Sequence, residues 1–308
     1  MLREWMGDWH PDRFDLDRAR AEFDLDEPPS GRASPFEPLG FARPSAGALS
    51  GVTLPPRDEL VEAAAANPLL ARLAVFTAWA GEGRKLTATG NLTRADGKAL
   101  IDILGTDDRF DERIGDRVFK TKSSVELVEV DYAFRLARKA GFVKVRKGSV
   151  SATKRGTRLG VDPLADWLEA CDGLVRLGVL THRYADATWI DPYWKQLVDE
   201  QVPGLLSHLL ATGPLAIDDV HARLWALVEA SFVLDDLDET QYARHRDHLG
   251  SDVRHICAAF ADLGALRLEG VETVADEWGY KHERGGSVHL TPLGAAGVHR
   301  LSERSAAR

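Results

Sequence analysis

The sequence predicts a mainly α chain with small β-hairpins, an α+β class. One order of elements, helix, strand, helix, helix, strand, strand, occurs twice around a helical connector. Three observations carry this expectation. Capping signals and apolar stripes of helical period recur from residue 57 onward. Two short alternating runs, FVKV and SVSA, meet at a tight turn. Finally, GSVSATKRG at 148–156 returns as GSVHLTPLG at 286–294, sharing Gly, Ser, Val, Thr and Gly at equal spacing. Such an echo is the mark of a duplicated unit.

The totals are compatible with that plan. At 308 residues, 44% hydrophobic and 28% charged, the chain is long enough for two units that each bury a core. No apolar run of about 18 residues occurs, so no membrane span is expected. The opening MLREWMGDWHPDRFDLD lacks the basic and then apolar run of a secretory signal, which points to a cytoplasmic protein. Cys171 and Cys257 each fall on an apolar helical stripe and read as buried, reduced thiols.

Taken in order, residues 1–57 read as an extended arm, because Pro, Gly and Ser interrupt every period. Within the arm, FDLD occurs at 14–17 and 23–26, either as a docking element for a basic surface or as part of a solvated tail with anchoring aromatics. Residues 58–160 form the first unit. DELVEAAAANPLLARLAVFTAWAG is a helix broken or kinked near Pro68, and KLTATGN is a short extended piece. Thr93 and Asp96 then open a helix with Ala95, Leu100, Ile101 and Leu104 near one face. After a loop, Ser123 and Glu126 form a capping box for a third helix, closed by Gly141 and followed by the FVKV–SVSA hairpin.

Residues 161–200 are a helical connector with Leu164, Trp167, Leu168, Cys171, Leu174 and Val175 at helical spacing. The aromatics Tyr184, Trp189, Tyr193 and Trp194 follow. A packed seam suits them better than a base-stacking platform, since few cations stand beside them. Residues 201–304 repeat the order: PGLLSHLLATG, PLAI, DDVHARLWALVEA and SDVRHICAAFADLG, then a longer hairpin of mixed sign.

The charge is unevenly placed. The chain has a formal net charge of −9, yet from Tyr132 to Gly160 it carries Arg135, Arg138, Lys139, Lys144, Arg146, Lys147, Lys154, Arg155 and Arg158 with no acid among them. On a helical wheel of the third helix, Leu127, Val130, Phe134 and Ala137 form the inner stripe. Asp131, Arg135, Arg138 and Lys139 lie on the far side, with Val128 and Tyr132 beside them. In the hairpin, the two-residue period turns Val143, Val145, Val150 and Ala152 one way and Lys144, Arg146, Ser149 and Ser151 the other.

This order resembles the winged helix-turn-helix superfamily, here as two tandem winged-helix domains. The first copy is also similar, over roughly residues 70–160 and chiefly in GRKLTATGNLTRADGKALIDILGTDD, to a module of actinobacterial proteins with no assigned activity. The resemblance implies that the third helix enters a DNA groove while the hairpin, the wing, follows the backbone. Double-stranded DNA is then the expected partner, held by Tyr132, Arg135, Arg138, Lys139, Lys144, Arg146, Lys147, Ser149, Lys154 and Arg155. The setting would be transcription regulation or the maintenance of a mobile element. Trp278 and Tyr280 in the second hairpin are expected to anchor a homodimer or a protein partner, the alternative being that they fold back on their own domain. A rival reading makes both copies adaptor modules that bind protein only.

Enzyme chemistry has little behind it. His245, His248 and His255 with Asp252 lie at helical spacing, but no second ligand cluster supports a metal. No phosphate loop, dinucleotide fingerprint or nucleophile elbow occurs, so no catalytic residue, metal or cofactor is expected.

Overall fold

The computed structural model describes residues 40–41, 54–183, 191–234, 237–275 and 281–306. All of them belong to the unit Pro38–Arg308. The helix expected to be broken or kinked near Pro68 is broken there into α1 (Arg57–Ala65) and α2 (Pro68–Ala80), bent by 61°. Asn67 stands between them and caps the second, its Oδ1 accepting the Leu70 N–H at 2.8 Å. Pro68 takes the first helical position, where no N–H is needed.

A two-residue strand, β1 (Arg84–Lys85), leads to α3 (Arg94–Leu104), which Thr93 caps by accepting the Asp96 N–H. Leu100 and Leu104 are buried as expected, but Ala95 is exposed and Gly97 takes the buried place. A Cβ on Gly97 would lie 2.9 Å from Leu127 Cδ1, so the close approach of α3 needs a bare Cα there.

The following stretch is not the plain loop expected from the sequence. It holds a hairpin, β2 (Glu112–Ile114) and β3 (Arg117–Phe119), whose base is tied by reciprocal bonds between Asp111 and Thr121. The capping box of Ser123 and Glu126 is present, but it opens a 3₁₀ turn, Ser124–Glu126. The helix α4 (Val128–Lys139) starts beyond it, where the Asp108 carboxylate accepts the N–H groups of Glu129 and Val130. Strands β4 (Val143–Arg146) and β5 (Ser149–Ala152) complete the first repeat. They join through Lys147 and Gly148, both at positive φ, the geometry that twisted two-residue hairpins require.

The connector comprises α5 (Pro163–Leu177), α6 (Val179–Arg183) and α7 (Asp191–Asp199). The second repeat follows with α8 (Val202–Thr212), β6 (Leu215–Ala216), α9 (Ile217–Ser231), α10 (Glu239–Asp262) and β7 (Leu266–Glu269). An extension hairpin, β8 (Glu272–Ala275) and β9 (Lys281–Arg284), precedes β10 (Ser287–Leu290) and α11 (Pro292–Ala306). The two three-stranded sheets have the same order, β1-β5-β4 and β6-β10-β7. The third helix of the second repeat is twice as long as that of the first, 24 residues against 12.

The echo read in the sequence has a common physical cause. Thr153 Oγ1 donates to the carbonyls of Gly141 and Phe142 and accepts the Gly156 N–H at 3.0 Å. Thr291 Oγ1 does the same with Gly264, Ala265 and Gly294, the last again at 3.0 Å. In both repeats a left-handed glycine, Gly141 or Gly264, ends the third helix. In both, a second glycine lets the chain after the sheet lie against the first strand's backbone.

The repeats share one hydrophobic core, into which Phe76, Phe134, Trp167 and Phe260 all pack. Trp167 of α5 donates to the Leu263 carbonyl at 2.6 Å and Arg176 of α5 to the Lys139 carbonyl at 2.7 Å, so the connector caps the ends of both third helices. Asn67 also donates to the Asp262 carbonyl. The expected apolar stripe of α5 is present, but its other flank is not solvated. Asp166, Glu169 and Asp172 are buried as well, and Arg304 of α11 pairs with both Glu169 and Asp172. Phe41 packs on the second repeat. Its amide donates to Gln201 Oε1, and its ring lies 5.5 Å from that of His208.

Gly156→Ala and Gly294→Ala are expected to destabilise the fold, because the new Cβ would lie 2.0 Å from the Phe142 oxygen in one case and 2.1 Å from the Ala265 oxygen in the other. Urea unfolding should show each losing more than about 2 kcal/mol. An unchanged midpoint for either variant would contradict the clasp.

Candidate nucleic-acid interface

The register of the first sheet fixes which side chains share its outer face. Arg146 lies opposite Ser149, and Ser149 opposite Lys85. Lys144 lies opposite Ser151. Val143 and Val150 point inward and are buried. The outer face therefore carries Lys85, Lys144 and Arg146 around two serine hydroxyls, with Lys147 at the turn beside them. These four cations are exposed and make no ion pair among the described residues. Arg138 and Lys139, at the carboxyl end of α4 and one tight turn before β4, are exposed too, as are Lys154 and Arg158 after β5. The sequence reading had not included Lys85. Its signal is a lone basic pair, Arg84 and Lys85, that becomes part of the site only through the β1–β5 pairing.

Lys147 has a φ of 50°, a conformation in which most side chains are strained and which Asn or Gly adopts more readily.

Three of the expected site residues are placed elsewhere. Tyr132 does not face solvent, because its hydroxyl is buried and makes no hydrogen bond among the described residues. Its ring stacks on His182 of α6 at 5.9 Å, and burial together with the Asp262 carboxylate raises its pKa. Arg135 is tied to the buried Asp131 at 2.7 Å. Arg155 pairs with Glu169 at 2.7 Å and serves the connector. Tyr132 is thus covered by the connector, whereas Arg135 is held by its own helix, through the i,i+4 pair with Asp131 that the spacing allows. The exposed carboxyl-terminal cations of α4 join the surface.

The second repeat offers an internal comparison. Superposing the registers sets Arg267 against Lys144, Glu269 against Arg146, Ser287 against Ser149, His289 against Ser151 and Ala216 against Lys85. There the outer face closes on itself, with Glu269 pairing with Arg267 and lying 3.1 Å from His289 Nε2. The same strand order thus carries open cations in one repeat and a paired Arg267–Glu269 in the other. Trp278 and Tyr280 lie outside the described residues. So do both FDLD segments, Tyr184 and Trp189, whereas Trp194 is buried edge-on against Trp225, a packed seam.

Neither cysteine is a reactive group. Both are buried, and burial pushes each thiol up to about 12. Among the described residues no three His, Cys, Asp or Glu side chains converge to hold a metal, and His245 instead packs on Trp194. No single helix among them is long and apolar enough to cross a membrane. No family model, curated protein or solved structure matches this chain.

Two outcomes are expected. Desolvation and the nearby Arg135 charge lower His182 to about 4, so the unfolded chain takes up a proton that the folded chain refuses. Stability should therefore be fully present above pH 6.5 and fall as the pH drops toward 4, at up to about 1.4 kcal/mol per unit from this group. His182→Phe should flatten that part of a stability–pH profile. Lys147→Asn should raise the urea midpoint slightly, by up to about 1 kcal/mol in stability, while removing one cation from the face.

Proposed function

We propose that this chain is a nucleic-acid-binding protein built of two winged-helix repeats, and that it grips the backbone of duplex DNA with the outer sheet face of the first. The observation that carries the reading is the contrast between the two sheets. At matched positions the first leaves cations open where the second closes them into ion pairs. Lys85, Lys144, Arg146 and Lys147 would contact phosphates, with Ser149 and Ser151 as hydroxyl partners, and Arg138, Lys139, Lys154 and Arg158 would extend the basic surface. Phosphate contacts position a protein without reading sequence. Base readout by α4 has little support, since Asp131, Tyr132 and Arg135 are packed or paired.

A net charge of −9 does not oppose this reading. Counterion release depends on local contacts, and an acidic remainder disfavours any other docking pose. The second repeat, with its outer face neutralised, suits protein contact or spacing rather than phosphate. This is a binding role, and transcription control or mobile-element maintenance would be its setting.

The test is a salt titration of duplex affinity. Log K should fall linearly with log salt, and Arg146→Ala with Lys147→Ala should make the slope shallower by about 2. Arg267→Ala, at the matched place in the second repeat, should leave the slope unchanged. Absence of duplex binding at low salt would overturn the proposal and favour a protein adaptor.

A further inference from the structure

The β2–β3 hairpin has no counterpart in the second repeat and no role in the sheet interface. It leaves Ile114, Val118 and Phe119 exposed at 59%, 52% and 55%. Fully burying one such side chain is worth about 1.5–3 kcal/mol, so three left open on one small hairpin call for a partner. Cations surround them. Between residues 113 and 122 stand Arg113, Arg117, Lys120 and Lys122 against a single acid, Asp116, and none of the four is ion-paired among the described residues.

The pairing register makes the hairpin a two-sided blade. Glu112 opposes Phe119 and Ile114 opposes Arg117, so these share one face; Arg113 opposes Val118 on the other. One face thus offers Ile114, Phe119 and Arg117 beside Glu112, whose charge Arg109 pairs, and the other offers Val118 and Arg113. A flat partner such as a lipid surface could take only one face, whereas two anionic strands with base faces between them could take both. The base of the blade is held firmly. Asp111 and Thr121 exchange hydrogen bonds, and Arg94 and Lys98 of α3 both lie 5.3 Å from the Phe110 ring. It stands at the amino end of α4 while the basic sheet stands at the carboxyl end, and the twelve-residue helix between them is about 18 Å long. At about 3.4 Å per phosphate that is some five nucleotides of one strand.

We infer that the β2–β3 hairpin is a wedge that inserts between the strands of a nucleic acid where base pairing ends, stacking Phe119 and Ile114 on unpaired bases while Arg113 and Arg117 contact the two backbones. The inference rests on the proposed binding of backbone by the first sheet and goes beyond it by naming the substrate: a fork or a locally opened duplex.

The test compares labelled plain duplex and forked duplex of equal paired length by fluorescence anisotropy, with 2-aminopurine at the junction. The full chain should prefer the fork at least about fivefold, since each base stacked on a side chain contributes that much or more. Its binding should also brighten the 2-aminopurine. The double variant Ile114→Ser, Phe119→Ser should keep its melting temperature and its duplex affinity while losing both the preference and the brightening. If wild type and variant bind fork and duplex alike, the wedge is overturned and the sheet reading stands. If wild type sediments with phosphatidylserine vesicles through Phe119 while that residue leaves fork binding untouched, the hairpin is a lipid contact and the wedge is again overturned. If neither DNA binds at low salt, the sheet reading fails and the wedge fails with it.

Discussion

The threonine clasp is the constraint on which the rest of the structure depends. A third helix that ends in a left-handed glycine reverses into a strand through that glycine's carbonyl, of Gly141 or Gly264, which the hydroxyl of Thr153 or Thr291 satisfies. The next carbonyl, of Phe142 or Ala265, accepts the same threonine's N–H, and the hydroxyl also holds the amide of the glycine that follows. A buried carbonyl left unsatisfied would cost on the order of 1–3 kcal/mol, so these bonds to one residue set the sheet against the helix in a single register. Because that register determines which side chains face outward, the open cations of the first repeat and the closed ion pairs of the second both follow from it.

The connector converts two repeats into one body. Its apolar stripe fills the shared core, while its acidic flank is buried against arginines drawn from both directions, Arg155 from the first repeat and Arg300 and Arg304 from α11. Desolvation alone would raise the Glu169 pKa, but the bonds from Arg304 and Arg155 outweigh it and leave the group lowered. Removing one partner from such a cluster strands a buried charge, which costs more than an exposed pair ever contributes.

Much of this was legible in the sequence, and the failures have physical reasons. The β4–β5 hairpin, the caps at Thr93 and Ser123 and the inner stripe of α4 rest on neighbours within a few residues, so local chemistry decides them, while the echo between the repeats is legible because one set of clasp residues is used twice. The β2–β3 hairpin escaped because its strands are three residues long and its apolar residues are exposed, leaving no half-buried alternation to read. Tyr132 differs for another reason. A wheel shows which face of a helix is polar but not what covers it, and the cover of Tyr132 comes from His182, fifty positions later. The Arg135–Asp131 pair, one turn apart, is by contrast legible in the spacing. Of the candidate face, the exposure of Lys144, Arg146 and Lys147 on the β4–β5 hairpin was legible, while Lys85 needed the strand pairing to bring it across.

The hydrogen bonds that Trp167, Arg176 and Asn67 send to the ends of the two third helices tie both repeats to the connector and the second repeat to the first. Among the described residues, a shift of either helix end would therefore break a bond to a residue outside its own repeat. Mechanical load on one half would pass to the other through these three contacts and the core beneath them.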